Sequence, residues 1–127
     1  MREEEARPGS TRSQRLLGLV FIAAGVNHFA MPRAYERIVP PGIGDAGRLV
    51  AVSGAAEIAG GLGVLLRPTR RPAGLGLVAL LVAVFPANLH MALNPGEFPK
   101  IPRWALLARL PLQPLMMWWA WSATRAS

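Results

Sequence analysis

The sequence predicts an all-α fold: an integral membrane four-helix bundle whose helices pair as antiparallel hairpins. Hydrophobic residues make up 52% of the 127 residues and charged residues 17%, and the apolar residues form four long blocks instead of amphipathic stripes. The basic connection RPTRRP between the second and third blocks is short enough to join two adjacent antiparallel helices. We therefore expect a single domain at 16–123, with helices at about 14–31, 49–66, 73–93 and 104–123.

Charge and cysteine content exclude several classes of function. The net charge of +7 and the pI of 11.7 would suit a nucleic-acid-binding protein. However, the arginines lie at the ends of the apolar blocks, where a membrane protein places them, and no nucleic-acid-binding motif accompanies them. The chain contains no cysteine, which excludes disulfides, iron–sulfur clusters and a thiol relay within it. No nucleic-acid partner is predicted.

The first helix is preceded by a polar tail. Residues 1–15 are charged and polar without an apolar period, which predicts a disordered cytoplasmic tail.

The basic flank and the short apolar block Leu16–Met31 also fit a signal peptide. The following segment, NHFAMPRAYER, lacks the small-x-small cleavage pattern, which favours an uncleaved helix that ends at Pro32.

A short interfacial helix is expected to follow the first block. Pro32 suits the first position of a helix, and Tyr35, Ile38 and Val39 supply an apolar side. The run Pro40-Pro41-Gly42 would then end it.

The second block, Leu49–Leu66, carries a single acidic residue, Glu57, near its middle. An ionised carboxylate at that depth costs about 2.5–3.5 kcal/mol, so it should face protein, find a partner or remain protonated. Ala55, Ala59 and Gly63 recur at four-residue spacing, with Ala56 and Gly60 beside them. Small residues at this spacing let neighbouring helices approach closely in lipid.

The last two blocks contain prolines, and tryptophans flank the fourth. Pro86 lies in the third block, and Pro111 and Pro114 lie in the fourth; membrane helices tolerate proline where neighbours satisfy the freed carbonyls. Trp104 lies at one end of the fourth block, and Trp118, Trp119 and Trp121 cluster at the other. Tryptophans at both ends of a span indicate an aromatic belt.

The distribution of basic residues predicts the orientation. One side carries Arg2, Arg7, Arg12, Arg15, Arg67, Arg70, Arg71 and Arg125; the other carries Arg33, Arg37, Arg48, Lys100 and Arg103. Because the more basic side faces the cytoplasm, both termini are predicted to be cytoplasmic.

Polar side chains within the blocks cluster toward the outer side of the predicted bundle. The candidate ligand-binding residues are Asn27, His28, Ser53, Glu57, Asn88, His90, Arg109 and Gln113. At about 1.5 Å per residue, all of them fall in the outer half, and the inner halves of the blocks hold no comparable polar residue. This asymmetry predicts an outward-facing pocket, with Glu57 and Gln113 at its floor, that suits a quinone-like or other lipophilic molecule.

Structural roles for the same residues remain open alternatives. Glu57 is expected to lie beside Arg109, which would make it a buried structural carboxylate as readily as a ligand-binding one. His28 and His90 also suit interfacial positions satisfied by loop carbonyls, and two lone histidines do not indicate haem or a metal site. A snorkelling role is open to Arg109. No catalytic or phosphate-binding motif is present, so the pattern leaves enzymatic activity undetermined.

Several segments resemble the DoxX-like family of small four-helix membrane proteins. They are GVNHFAMPRAYERIVP at Gly25–Pro40, SGAAEIAGGLGVLL at Ser53–Leu66, TRRPAGLGL at Thr69–Leu77 and VFPANLHMAL at Val84–Leu93. The resemblance covers about residues 18–121 and implies a four-helix bundle in a bacterial inner membrane. The family takes its name from a subunit linked to thiosulfate:quinone oxidoreduction, although the absence of cysteine argues against sulfur-relay chemistry here.

Two functions from different classes fit these observations. The chain is either a non-catalytic accessory subunit that holds a quinone-like molecule for a membrane or redox partner, or a membrane scaffold whose buried polar groups are purely structural. Spare hydrogen-bonding capacity in a cavity would favour the first, and complete mutual pairing would favour the second. A transporter ranks third, because the inner half offers no polar path.

Overall fold

The computed structural model describes residues 11–125, and this part of the chain is helical without strands. The α-helices are α1 (Arg12–Ala30), α2 (Pro32–Glu36), α3 (Ala46–Leu65), α4 (Arg70–Leu93) and α5 (Arg103–Thr124), with short 3-10 turns at Arg67–Thr69 and Pro95–Glu97. The four long helices match the predicted blocks to within a few residues. The all-α prediction is confirmed for these residues.

Helix α1 begins earlier than the predicted boundary between tail and domain. Thr11 accepts a hydrogen bond from the Gln14 backbone N–H, and the Gln14 side chain accepts from the Thr11 N–H, which forms a capping box. Residues 12–15 are therefore helical, so the predicted disordered tail is wrong for this part. Its remainder, residues 1–10, lies outside the described residues.

Glycines bring α1 and α3 together as antiparallel neighbours. A Cβ placed on Gly61 would lie 2.5 Å from the Gly18 carbonyl oxygen, and one on Gly25 would lie 2.6 Å from the Gly54 carbonyl oxygen. Backbone contact this close leaves no room for a side chain. The predicted small-residue contact is thus made by a different set, because Ala55 and Ala59 are exposed.

Two of the predicted small residues do lie at a helix interface, the one between α3 and α4. Gly60 packs against Leu77 and Gly63 against Ala73. Helix α4 packs in turn against α5. The long helices therefore follow one another as up-and-down neighbours in the order α1, α3, α4 and α5.

Buried polar groups stabilise the end of the bundle where α1 begins and α5 ends, here called the terminal end. Gln14 Nε2 donates to the Ala123 carbonyl at 2.8 Å and joins α1 to α5. Arg70 is buried, and its Nε donates to the Val64 carbonyl at 2.7 Å, one of the last carbonyls of α3. Polar residues are therefore buried at both ends of the bundle. Those at the terminal end satisfy helix termini.

Two apolar clusters lie at different levels of the bundle. The larger one comprises Leu17, Phe21, Val64, Leu77, Leu81 and Ala120. The smaller one, formed by Met91, Phe98 and Leu106, lies toward the loops 31–45 and 94–102, which we call the loop end.

Within residues 11–125, two segments are long and apolar enough to cross a membrane, judged by length and composition alone: Ala46–Leu65 and Arg67–Leu93. Neither α1 nor α5 is among them. Asn27 and His28 in α1, and Arg109 and Gln113 in α5, lower the apolar content of those helices. Membrane-spanning length and composition are thus present in two of the four predicted spans.

Candidate functional site

A cavity of about 350 Å³ lies between the helices, on the loop-end side of the larger apolar cluster. Its walls are mostly apolar, and the polar residues that line it are His28, Tyr35, Ser53, Glu57, Asn88, Arg109 and Gln113. The volume falls in the lower part of the range found for small-molecule sites.

Glu57 and His28 form one wall of the cavity. The close approach of Gly25 and Gly54 places α1 against α3, and side chains on each helix lean toward its own N-terminus. His28 and Glu57 lean toward one another for this reason, with 3.5 Å between His28 Nδ1 and Glu57 Oε1.

The Glu57 carboxylate nevertheless lacks a hydrogen bond. His28 Nδ1 lies 2.8 Å from the Ala24 carbonyl oxygen, and because a carbonyl only accepts, Nδ1 must donate to it. Glu57 Oε1 is fully buried and has no hydrogen-bond partner among residues 11–125. Buried polar atoms are normally paired, so this oxygen marks unused hydrogen-bonding capacity.

Tyr35 covers the cavity at the loop end. Its ring stacks on His28 with 4.0 Å between the ring centroids and 19° between the planes. Its hydroxyl accepts a hydrogen bond from Asn27 Nδ2 at 2.7 Å. Pro32 begins α2 as predicted, and Ile38 and Val39, which follow that helix, also line the cavity.

A chain of hydrogen bonds forms the wall made by α4 and α5. Arg109 Nε donates to Asn88 Oδ1 at 3.0 Å, and Asn88 Nδ2 donates to Gln113 Oε1. Gln113 Nε2 then donates to the Leu81 carbonyl. That carbonyl lies next to the Val82 carbonyl, which has lost its intrahelical donor to Pro86. Asn88 and Gln113 are therefore used by the fold itself.

The predicted contact between Glu57 and Arg109 is not a direct ion pair. Among residues 11–125, the Glu57 carboxylate contacts His28, and Arg109 bonds to Asn88. The reason is the helix order: α3 packs against α1 and α4, whereas α5 packs against α4. The two charges lie on different walls of one cavity.

His90 lies outside the cavity, although it was predicted at its rim. Its Nε2 is 3.3 Å from Glu97 Oε1, and its Nδ1 is 3.2 Å from Asn94 Nδ2. Its ring also meets Phe98 edge-on. Asn88 and His90 are two residues apart on one helix and face different sides, which is why α4 brings only Asn88 to the cavity.

Six of the eight predicted ligand-binding residues thus line one cavity: His28, Ser53, Glu57, Asn88, Arg109 and Gln113. Asn27 is exposed and orients Tyr35, and His90 serves the loop. The sequence does not reveal that Tyr35 belongs to the site, because Tyr35 follows a helix break and the direction of its side chain depends on how the chain turns at Pro32.

The cavity is suited to binding through hydrogen bonds and apolar contacts. Within residues 11–125 no three His, Asp or Glu side chains group as metal ligands do. Glu57 provides an acceptor at one wall, and the Arg109 guanidinium provides donors at the other. The apolar side chains between them would pack against a ring or an alkyl chain.

The model of one protein family, described as a domain of unknown function (DUF8561), matches residues 17–124. No curated protein and no solved structure matches the chain. The DoxX-like resemblance therefore remains an expectation from the sequence.

Proposed function

Because the chain belongs to this family of unknown function, membership supplies no activity, and we propose from its own structure that it holds a small lipophilic molecule within a membrane. The observation that carries the proposal is the buried Glu57 carboxylate, which lines a cavity of about 350 Å³ and makes no hydrogen bond to the part of the chain that the structure describes. A quinone-like ring with a polar oxygen at its edge suits such a site. The role is that of a non-catalytic accessory subunit.

Exposure of the apolar helices supports a membrane location. In the most apolar windows of Ala46–Leu65 and Arg67–Leu93, 28% and 17% of the residues are buried within the protein. The core helix of a water-soluble protein would be mostly buried. Large side chains such as Val52, Leu75 and Val82 are instead more than half exposed, which suits contact with lipid.

Four spanning helices with both termini in the cytoplasm extend this proposal. Trp104 is 72% exposed at the loop end and Trp118 is 62% exposed at the terminal end, as membrane-interface tryptophans are. The more basic terminal end then faces the cytoplasm. The DoxX-like resemblance favours a bacterial inner membrane and a redox protein as partner.

Single-cysteine labelling tests this topology, because the chain has no cysteine of its own. Ile43→Cys at the loop end should react with a membrane-impermeant maleimide in intact cells. Arg71→Cys at the terminal end should react only after the cells are permeabilised. The reverse pattern would overturn the orientation, and a chain recovered in the soluble fraction would overturn the membrane location.

A scaffold role is the second candidate, and the hydrogen bonds of Asn88 and Gln113 favour it. A scaffold needs every buried polar group to be satisfied within the protein. Glu57 departs from that requirement, and it does so on the wall of a cavity. The binding role accounts both for the unpaired carboxylate and for its position on the wall of a cavity.

Filling the cavity tests the binding role. Ala87 lines the cavity, whereas Ala83, one turn earlier on α4, is exposed and is not among the residues that line it. Native mass spectrometry of protein extracted with its lipids should detect a bound small molecule on the wild type and on the control Ala83→Phe. Ala87→Phe should retain about tenfold less, because the added ring occupies the site.

Equal retention by the two phenylalanine variants would contradict the proposal. So would a wild-type protein that carries no small molecule and takes up neither decyl benzoquinone nor decyl hydroquinone when each is added to it in lipid nanodiscs.

A further inference from the structure

Two groups in the cavity keep hydrogen-bonding capacity that the fold does not use. Glu57 on α3 contributes an acceptor, and Arg109 on α5 contributes donors. The other strongly polar pair, Asn88 and Gln113, is bonded together and to the backbone. A ligand would therefore be recognised by an acceptor on the α3 wall and by donors on the α5 wall.

On the α3 wall, the carboxylate of Glu57 makes no hydrogen bond to residues 11–125. Its contact with His28 is 3.5 Å long, and the His28 Nδ1 proton is already donated to Ala24. In its ionised form, which the bridge assumes, the carboxylate accepts hydrogen bonds and has none to donate. A ligand that satisfies it must carry an O–H or N–H group.

On the α5 wall, Arg109 has more donors than the fold takes up. Arg109 is an exposed residue that lines the cavity; its Nε donates to Asn88 Oδ1 at 3.0 Å, and its two Nη groups make no hydrogen bond to residues 11–125. A guanidinium has five N–H donors and accepts nothing. A ligand that satisfies it must carry a carbonyl, ether or acid oxygen.

We infer that the ligand bridges Glu57 and Arg109, and is therefore a lipophile with a hydrogen-bond donor at one polar point and an acceptor at another. This inference rests on the proposed binding role and narrows its ligand class. A simple benzoquinone carries acceptors alone, so it would satisfy Arg109 and leave Glu57 unpaired. Hydroquinones and acylphenols carry both groups and satisfy both walls.

Two matched probes separate these ligand classes. 4-Hydroxyphenyl nonyl ketone carries a donor and an acceptor, and in 4-methoxyphenyl nonyl ketone a methyl group replaces the donated hydrogen. Wild-type protein in nanodiscs, with its copurified molecules washed out, should bind the hydroxy probe about tenfold more tightly. The methoxy probe leaves the buried carboxylate unpaired, which is why its affinity should be lower.

Variants show which residue causes the difference in affinity between the two probes. Glu57→Met removes the acceptor, so the two probes should then bind equally. Arg109→Met should weaken both probes by a similar factor and keep their ratio, because both carry the ketone. Val52→Ala, exposed on the same helix, serves as a control that should change neither affinity nor ratio.

Each outcome decides between the two proposals. A wild-type protein that binds both probes equally, or a Glu57→Met variant that keeps the tenfold ratio, overturns the bridge but leaves the binding role standing. Absence of binding by either probe overturns both. If Glu57→Met does not fold, Glu57→Gln is used instead; it retains an acceptor oxygen, so loss of the hydroxyl preference in that variant would count against the bridge.

Discussion

Gly61→Ala should lower the free energy of unfolding by about 1–3 kcal/mol, although it adds one methyl group and improves helix propensity. The new Cβ would lie 2.5 Å from the Gly18 carbonyl oxygen and 3.0 Å from the Ile22 backbone nitrogen. Backbone atoms cannot turn aside as a side-chain end can, so α1 and α3 would have to separate. That separation would also move His28 away from Glu57.

The chain offers matched controls for this substitution. A Cβ on Gly76, in the interior of α4, meets nothing within 4 Å, so Gly76→Ala should be neutral or stabilising by up to about 1 kcal/mol. Gly60→Ala meets the end of the Leu77 side chain, which can move, and should fall between the two. Thermal unfolding in detergent, followed by circular dichroism, measures the series. Equal stability of Gly61→Ala and Gly76→Ala would refute the close packing of α1 on α3.

Gln113→Leu should cost about 1–3 kcal/mol of stability. The side chain is buried and joins Asn88 to the Leu81 carbonyl. A leucine of similar size would remove the acceptor for Asn88 Nδ2 and the donor to the Leu81 carbonyl. The sequence predicts Gln113 at the floor of a ligand pocket, and Gln113 does line the cavity. Its hydrogen bonds also give it a structural role in holding α5 against α4.

A double-mutant cycle with Asn88→Leu tests the same pair. Removing both partners should cost less than the sum of the single changes, by about 0.5–3 kcal/mol, because neither then strands the other. Leu115→Ala, exposed on α5, is the control and should change stability in detergent by about 0.5 kcal/mol or less. Strict additivity, or an unchanged melting temperature for Gln113→Leu, would show that the pair is not coupled.

The positions of the long helices along the chain could be predicted from the sequence to within a few residues. Apolar blocks, prolines and the short connection at residues 66–69 are local signals, and each marks a helix or its end. The depth of the polar residues was also predictable, because a helix advances by a constant rise per residue. That is why six of the eight predicted residues line one cavity.

The partner of each polar side chain was decided by the tertiary structure alone. Depth along a helix does not say which neighbour a residue faces; that depends on helix order and on the small residues that allow contact. Gly54 and Gly61 bring α3 against α1, so Glu57 meets His28 instead of Arg109. The rotation of α4 likewise turns Asn88 toward Gln113, whereas His90 contacts Glu97 in the following loop. Charge and hydropathy along the chain thus predict the helices, whereas packing between residues distant in sequence determines which groups a ligand meets.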